Sequence, residues 1–543
     1  MNPPDADVIV VGSGPGATAA AWPLVEAGVS VLMLDVGNED TTYAPHIREA
    51  SFLDLRREDS SQHRYFLGDD FEGIPFGRVR VGAQLTPPRQ YLARDTDLLT
   101  PIRSATFAPT ESLALGGLGG GWGASAVQFT DGDLASFPIR HADLASHYEA
   151  VAARIGISGE RDDLLPWYGE CAAMQPPLLM DDAARRLLNR YQARRGKLNR
   201  AGFYMGHPRL AVLTRDLDGR GAQRYHEMEF YAEMERSVYR PRVTVERMQA
   251  RPGFTYKRPL LVEAFREDAT SGRVEVSARD TRDRTTARFT ARRLILAAGA
   301  MGTARIVLRS LGRYDTPLPL VCNAHIYVPC LIPALLGRVM PDKRHSLTQA
   351  GIILDPDGDG RRVVYVEAHG YRPLLLFKMA KETPLPVPEG LSMLRDLSGA
   401  LLILVIEHED RATPGKRCLL RRDPAGGPDE LEVNYAVDDD QRERELRVER
   451  RLFALVRRLG CFPIRRLDPG PGSSIHYGGP LPMTAVEKEL TTTPSCLLRG
   501  TRSVYLADGS VFPDLPAKPL TLTLMANADL VGRIVAKELR GWP

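Results

Sequence analysis

Cysteine is scarce in this chain: Cys171, Cys322, Cys330, Cys418, Cys461 and Cys496 are the only six in 543 residues. None forms a Cys-x-x-Cys pair and none clusters with histidine, which argues against a disulfide framework and gives no metal-ligand spacing. Isolated thiols fit a reducing compartment, so a cytoplasmic protein without a metal is expected. A charge surplus is missing too. The 71 Lys and Arg nearly balance 68 Asp and Glu, a formal +3, so bulk electrostatics favour neither nucleic acid nor an anionic membrane. No apolar run approaches the roughly 20 residues that cross a bilayer. The longest, Leu401 to Ile406, has the length of a strand. No basic segment followed by an apolar one opens the chain, so no secretory leader is expected. Internal repeats and low-complexity tracts are also lacking.

What is present is a mixed α/β pattern too long for one hydrophobic core. Asp7 to Val11 reads as a strand buried on both faces. A glycine turn, a helix from Thr18 to Ala27 and a second strand, Val29 to Leu34, complete a βαβ unit. Residues 40–110 are polar and read as excursions and loops, and Asp143 to Ile155 as an amphipathic helix. Val243 to Phe289 alternates like an antiparallel meander. Arg293 to Ala300 is another buried strand, with a helix from Gly302 to Ser310. Proline-punctuated strands then precede a charged helix at about 440–459, with Leu446, Phe453 and Val456 facing the core and Arg442 to Arg451 solvated. Strands followed by a covering helix suggest a separate α+β body. The chain returns to a buried strand, Ser503 to Asp508, and a closing helix from Leu520 to Leu539.

Within the βαβ unit, Gly12-x-Gly14-x-x-Ala17 fits a dinucleotide. Gly12 permits the tight turn, Gly14 lets a pyrophosphate approach the backbone, and Ala17 keeps the helix near the strand. Asp35 closes the second strand, where it can accept hydrogen bonds from a ribose. This unit suits FAD and NAD alike, so other segments must decide.

Four separated blocks resemble the glucose–methanol–choline (GMC) oxidoreductases, flavoenzymes that oxidise alcohols, and lie nearest the sugar-oxidising branches. The first is the glycine turn with Pro15. The second is Leu115-Gly116-Gly117-Leu118-Gly119-Gly120-Gly121-Trp122-Gly123, similar to the loop that lies along the flavin. The third, Leu294 to Arg305, resembles the strand and helix behind the FAD. The fourth runs from His476-Tyr477-Gly478-Gly479 through Asp508 to Met525 and Ala526. The resemblance implies a Rossmann-like FAD-binding domain with a discontinuous α+β substrate domain. Its expected division is FAD-binding at 1–160, 205–315 and 469–543, and substrate-binding at 316–468 with 161–204 as a further contributor.

FAD would then meet Gly12, Gly14, Pro15, Ala17, Asp35, Gly116, Gly117, Gly120, Gly121, Trp122, Gly123, Val245, Ala298, Gly299, Asp508, Gly509, Pro519, Leu520 and Thr521. His476 is the expected catalytic base, removing a hydroxyl proton while hydride leaves for flavin N5. Two departures matter. Relatives that link FAD covalently do so through a histidine before the loop tryptophan; here Gly121 stands there, so FAD is expected to be noncovalent. The family's second catalytic histidine or asparagine falls on Pro519, which has no side-chain donor or acceptor. Lys518, Glu367, His369, Glu407 and His408 are the alternatives for the missing hydrogen bond. An altered, non-redox chemistry (lyase, cyclase or isomerase) is the competing reading. The expected partner is a small alcohol, sugar or biosynthetic intermediate. Oxygen, a quinone and a protein stay open as electron acceptor. The apolar segment Tyr327 to Leu336 fits a hydrophobic substrate or core packing equally well.

Overall fold

The computed structural model describes residues 3–70, 85–338, 345–370 and 384–540. Its central sheet grows from the apolar strand Ala6–Val11, whose β-branched residues are buried on both faces. Val31–Leu34 pairs parallel on one side and the end of Thr286–Leu296 on the other. Phe254–Lys257 and Val504–Leu506 extend this parallel core outward, giving five parallel strands. The first half of Thr286–Leu296 turns antiparallel and pairs with Val274–Asp280, which pairs with Leu260–Glu267.

The helices Pro15–Glu26 and Thr521–Arg540 pack together against this sheet. Their close approach depends on Gly532, where a Cβ would stand 2.2 Å from the Ala20 carbonyl oxygen. The meander starts later than the alternation suggests. Pro241–Gln249, which includes Val243, is a helix: Pro241 suits its first turn, and Val243, Val245 and Met248 bury one stripe. In the polar stretch expected as loops, Phe52–Glu58 and His63–Leu67 are short helices whose aromatics pack with Met228 and Tyr231. Residues 71–84 of that stretch lie outside the described residues.

A second, six-stranded antiparallel sheet runs in the order Phe462–Pro463, Ala324–Leu331, Leu401–His408, Val364–Gly370, Thr348–Leu354 and Phe203–Gly206. Side chains alternate across it. Ile326, Val328, Cys330, Val366, Ala368, Leu404 and Ile406 face the helices Asp182–Gln192 and Asp439–Arg458 and form one core with them. Core packing therefore accounts for the apolar character of the Tyr327–Leu336 region. On the charged helix Val456 is buried, but Leu446 is 44% exposed, because the buried stripe runs through Gln441, Glu445, Glu449 and Leu452 instead.

Lys416–Arg421 and Glu430–Tyr435 join Leu318–Pro319 and Ile102–Arg103 in a separate four-stranded sheet. Their inner residues Cys418, Leu420, Leu431 and Val433 belong to the core of the first sheet, not the second. Among the described residues no helix is long and apolar enough to cross a membrane.

Candidate functional site

The carboxyl ends of the parallel strands open into a cavity, where an α/β sheet characteristically binds its ligand. It encloses about 1560 Å³ of empty space, its open mouth included. At its floor Gly12 has φ +93°, and a Cβ there would stand 2.6 Å from the Ala297 carbonyl oxygen. A Cβ on Gly14 would meet only the Gly116 oxygen, at 3.9 Å, so this backbone faces open space. Such a bare backbone at the start of a twelve-residue helix suits a pyrophosphate. The residue that lets the helix approach the strand is Gly16 rather than Ala17, since a Cβ on Gly16 would lie 1.9 Å from the Ala507 oxygen.

Asp35 is held at the cavity wall by hydrogen bonds from Ser13 Oγ and, at 3.0 Å, from Tyr256 Oη. Burial raises its pKa to about 6, against the lowering effect of those two donors. Ser13 also accepts from the Gly116 N–H at 2.9 Å, tying the two glycine-rich turns together. Ser13 and Tyr256 carry no motif signature, and only their proximity to Asp35 reveals their part.

Of the expected cofactor residues, Gly12, Gly14, Pro15, Asp35, Gly117, Trp122, Ala298, Gly299, Asp508, Gly509, Leu520 and Thr521 line the cavity together with His476. Asp508 is buried; it accepts from Thr303 Oγ1 and caps the turn at Gly509–Val511. Ala17, Gly116, Gly120, Gly121, Gly123, Val245 and Pro519 do not line the cavity. The reasons are local. Val245 sits on the inner stripe of its helix, fully buried in the core. Gly120 and Gly121 make room for a neighbouring side chain: a Cβ on either would stand 2.8 or 2.5 Å from a methyl of Leu92. The flat backbone expected there packs against protein.

Above this floor His476 emerges from the Ser473–Ile475 turn, where Ile475 adopts φ +58°. Its ring meets that of His325 edge to face, with centroids 4.9 Å apart. His325 lies opposite Glu407 on the neighbouring strand, with Nε2 3.8 Å from Oε1. Glu367 accepts from Ser125 Oγ, and its Oε2 lies 3.0 Å from His369 Nε2. His325 Nε2, Glu407 Oε2, His476 Nδ1 and Tyr365 Oη are buried atoms with no hydrogen-bond partner among the described residues, so this face of the second sheet offers several free polar groups.

Desolvation lowers the His476 pKa to about 4, with Glu367 opposing, and lowers that of His325 to about 3, with His476 adding to the fall. Both imidazoles are therefore neutral near pH 7. Burial and the adjacent Glu367 hold the Glu407 carboxyl well above the ordinary range. Glu367 goes the other way: burial opposes ionisation, but His369 and Ser125 bring its pKa down to about 2.

Two of the alternatives for the missing group are elsewhere. Lys518 is fully buried, pairs with Asp133, and donates to the Trp167 oxygen at 2.9 Å. His408 is on the helix side of its strand, with Nε2 3.0 Å from Glu449 Oε1. Period-two alternation puts Glu407 on one face of that strand and His408 on the other. His325 was missed because a single histidine in a strand carries no signature until its partners are known.

No protein-family model matches the sequence, and no curated protein matches it. Solved structures do resemble the fold over nearly its full length. Pyridoxine 4-oxidase from Mesorbium loti superposes with a TM-score of 0.60 at 14% identity, covering 98% of this chain and 99% of that one. Formate oxidase from Aspergillus oryzae RIB40, studied for the effect of an R554K mutation on FAD modification, gives 0.59 at 12%, covering 98% of each chain. An FAD-dependent oxidoreductase from Chaetomium thermophilum gives 0.59 at 13%, covering 99% of this chain and 100% of that one. The chain thus has the fold of these proteins, a Rossmann-like body with a second sheet, as the GMC resemblance implies.

Proposed function

We propose that this chain is an FAD-dependent oxidoreductase that converts an alcohol or sugar hydroxyl of a small molecule to a carbonyl. The observation that carries the reading is the meeting of two neutral imidazoles, His476 and His325, the first of which lines the cavity at the strand ends. The cavity fits FAD by its bare glycine floor, by Asp35 beside Ser13, and by Leu520 and Thr521 at the start of the Thr521–Arg540 helix. The positive end of that helix favours negative charge in the cavity. FAD, when bound, supplies the acceptor for the hydride that leaves the carbinol carbon. Gly121 in place of a linking histidine supports noncovalent binding.

The chain's own residues handle the proton. His476, neutral near pH 7, takes the hydroxyl proton. His325, edge to face with His476, takes the place of the group that Pro519 lacks and holds the substrate oxygen. Free polar atoms beside His476 suit a polar, hydroxylated substrate better than an apolar one.

Anaerobic mixing of the yellow protein with a panel of alcohols and sugars tests this. Bleaching of the flavin absorbance by at least one compound is expected, with a loss of about 10²–10⁴-fold in its rate in His476→Ala. A flavin that stays bound and that no compound reduces would favour the non-redox alternative.

A further inference from the structure

The structure assigns a second ligand to the space between His325, Glu407 and His476: we propose that these three side chains form a binding site for a divalent transition-metal ion of the zinc type. Each offers one nitrogen or oxygen, and the three atoms lie within 4.8 Å of one another. Two imidazoles and one carboxylate are a donor set that zinc takes, with a fourth position left for water. Cysteine spacing pointed away from a metal because these ligands come from three distant segments and none is a cysteine.

Each side chain also carries a buried atom without a partner among the described residues: His325 Nε2, Glu407 Oε2 and His476 Nδ1. Glu407 is 1% exposed, and among the described residues no lysine or arginine pairs with it. A dication bound to all three would displace any proton from the Glu407 carboxyl to solvent and satisfy groups that the protein itself leaves unpaired. Ligands of a tetrahedral zinc stand about 3.3 Å apart, from bonds of about 2.0–2.1 Å. His325 and Glu407 are already at 3.8 Å, so side-chain rotation can close the site without moving the sheet. The ion would occupy the imidazole that the proposed reaction uses and would shut turnover off reversibly. The site itself does not depend on that reading; only its effect on turnover does.

The experiment titrates ZnCl2 into chelator-treated flavin-loaded protein near pH 7 by equilibrium dialysis, alongside Glu407→Gln and His325→Asn. One ion per chain is expected, bound at least about 10–100-fold more weakly by each variant. No saturable binding, or binding unchanged in both variants, overturns the proposal and marks an adventitious surface ion. Ligand-field absorption of bound Co²⁺, read beyond the flavin bands, needs no variant and covers the case in which both fail to fold. A six-coordinate spectrum with water-like ligands would also count against the site. Zinc bound through these residues with turnover unaffected would support the site and refute the role given to His476.

Discussion

Lys518 stands next to Pro519, so the natural suspicion is that its ammonium does the work of the missing catalytic group. The structure predicts otherwise, and the difference is measurable. Lys518 and Asp133 are an ion pair at 0% and 2% side-chain exposure. Asp133 also accepts from Thr130 N at 2.7 Å and Thr130 Oγ1 at 2.9 Å, whereas among the described residues Lys518 has only the Trp167 oxygen besides. Breaking a buried pair costs about 3–5 kcal/mol. Lys518→Met should sit near the lower end, because the stranded carboxylate keeps two donors. Asp133→Leu should sit near the upper end, because the stranded ammonium keeps one acceptor. Replacing both removes the unpaired charge, so the double variant should be no less stable than Lys518→Met alone, which corresponds to a coupling of about 5 kcal/mol or more. For 543 residues, an unfolding entropy of about 2.1 cal/mol/K per residue makes 3–5 kcal/mol equivalent to a shift of about 3–4 °C. Thermal unfolding followed by flavin fluorescence and far-UV circular dichroism reads these shifts. Stopped-flow flavin reduction at saturating substrate should be within about threefold of the parent in folded Lys518→Met. An unchanged midpoint together with a reduction rate lowered tenfold or more would refute the structural role and make Lys518 catalytic.

Gly16→Ala places a Cβ 1.9 Å from the Ala507 oxygen, a backbone atom that cannot step aside. It should yield protein without bound flavin, or no soluble protein, as judged by the absorbance ratio after gel filtration; full flavin content would contradict the packing described. His408→Asn removes the contact with Glu449 on the helix side of the sheet. It should lower the thermal midpoint and leave the flavin reduction rate alone, and a tenfold slower reduction would place His408 at the site after all. The pH profile of flavin reduction follows from His476, whose pKa is lowered to about 4 in the fold. The neutral base is then present above about pH 4, so the rate should stay level through pH 6.5 and fall only nearer 4. An inflection at 6.5 would show an ordinary, hydrated imidazole. Stability carries the corresponding sign. The unfolded chain binds this proton from about pH 6.5 downward and the fold does not until about 4, so His476 makes the protein less stable as pH falls through that window.

The glycine-rich end of the cavity was legible because its information is local. Gly12, Gly14, the following helix and Asp35 lie within one βαβ unit, and steric demands on a turn depend on residues a few positions away. His476 was legible for a similar reason, standing in a glycine- and serine-rich loop that cannot be a core helix face. The opposite wall was not. Leu401–His408 is buried along nearly its whole length, so its sequence shows no polar alternation from which to read a phase. Whether Glu407 or His408 lies on the side of His476 was decided only when two helices covered one side of the sheet. The same holds for His325, which meets a histidine 151 positions further along only through strand pairing, and for Lys518, turned away by a carboxylate 385 positions earlier. Gly120 and Gly121 show the converse limit: their smallness was visible, but Leu92 and not a ligand fills the space they leave. The sequence by itself determined the bare, tightly turned backbone at Gly12 and Gly14, because sterics act over neighbouring residues. Tertiary structure alone decided which charged and imidazole groups meet above it, because burial and strand phase are properties of the assembled sheet.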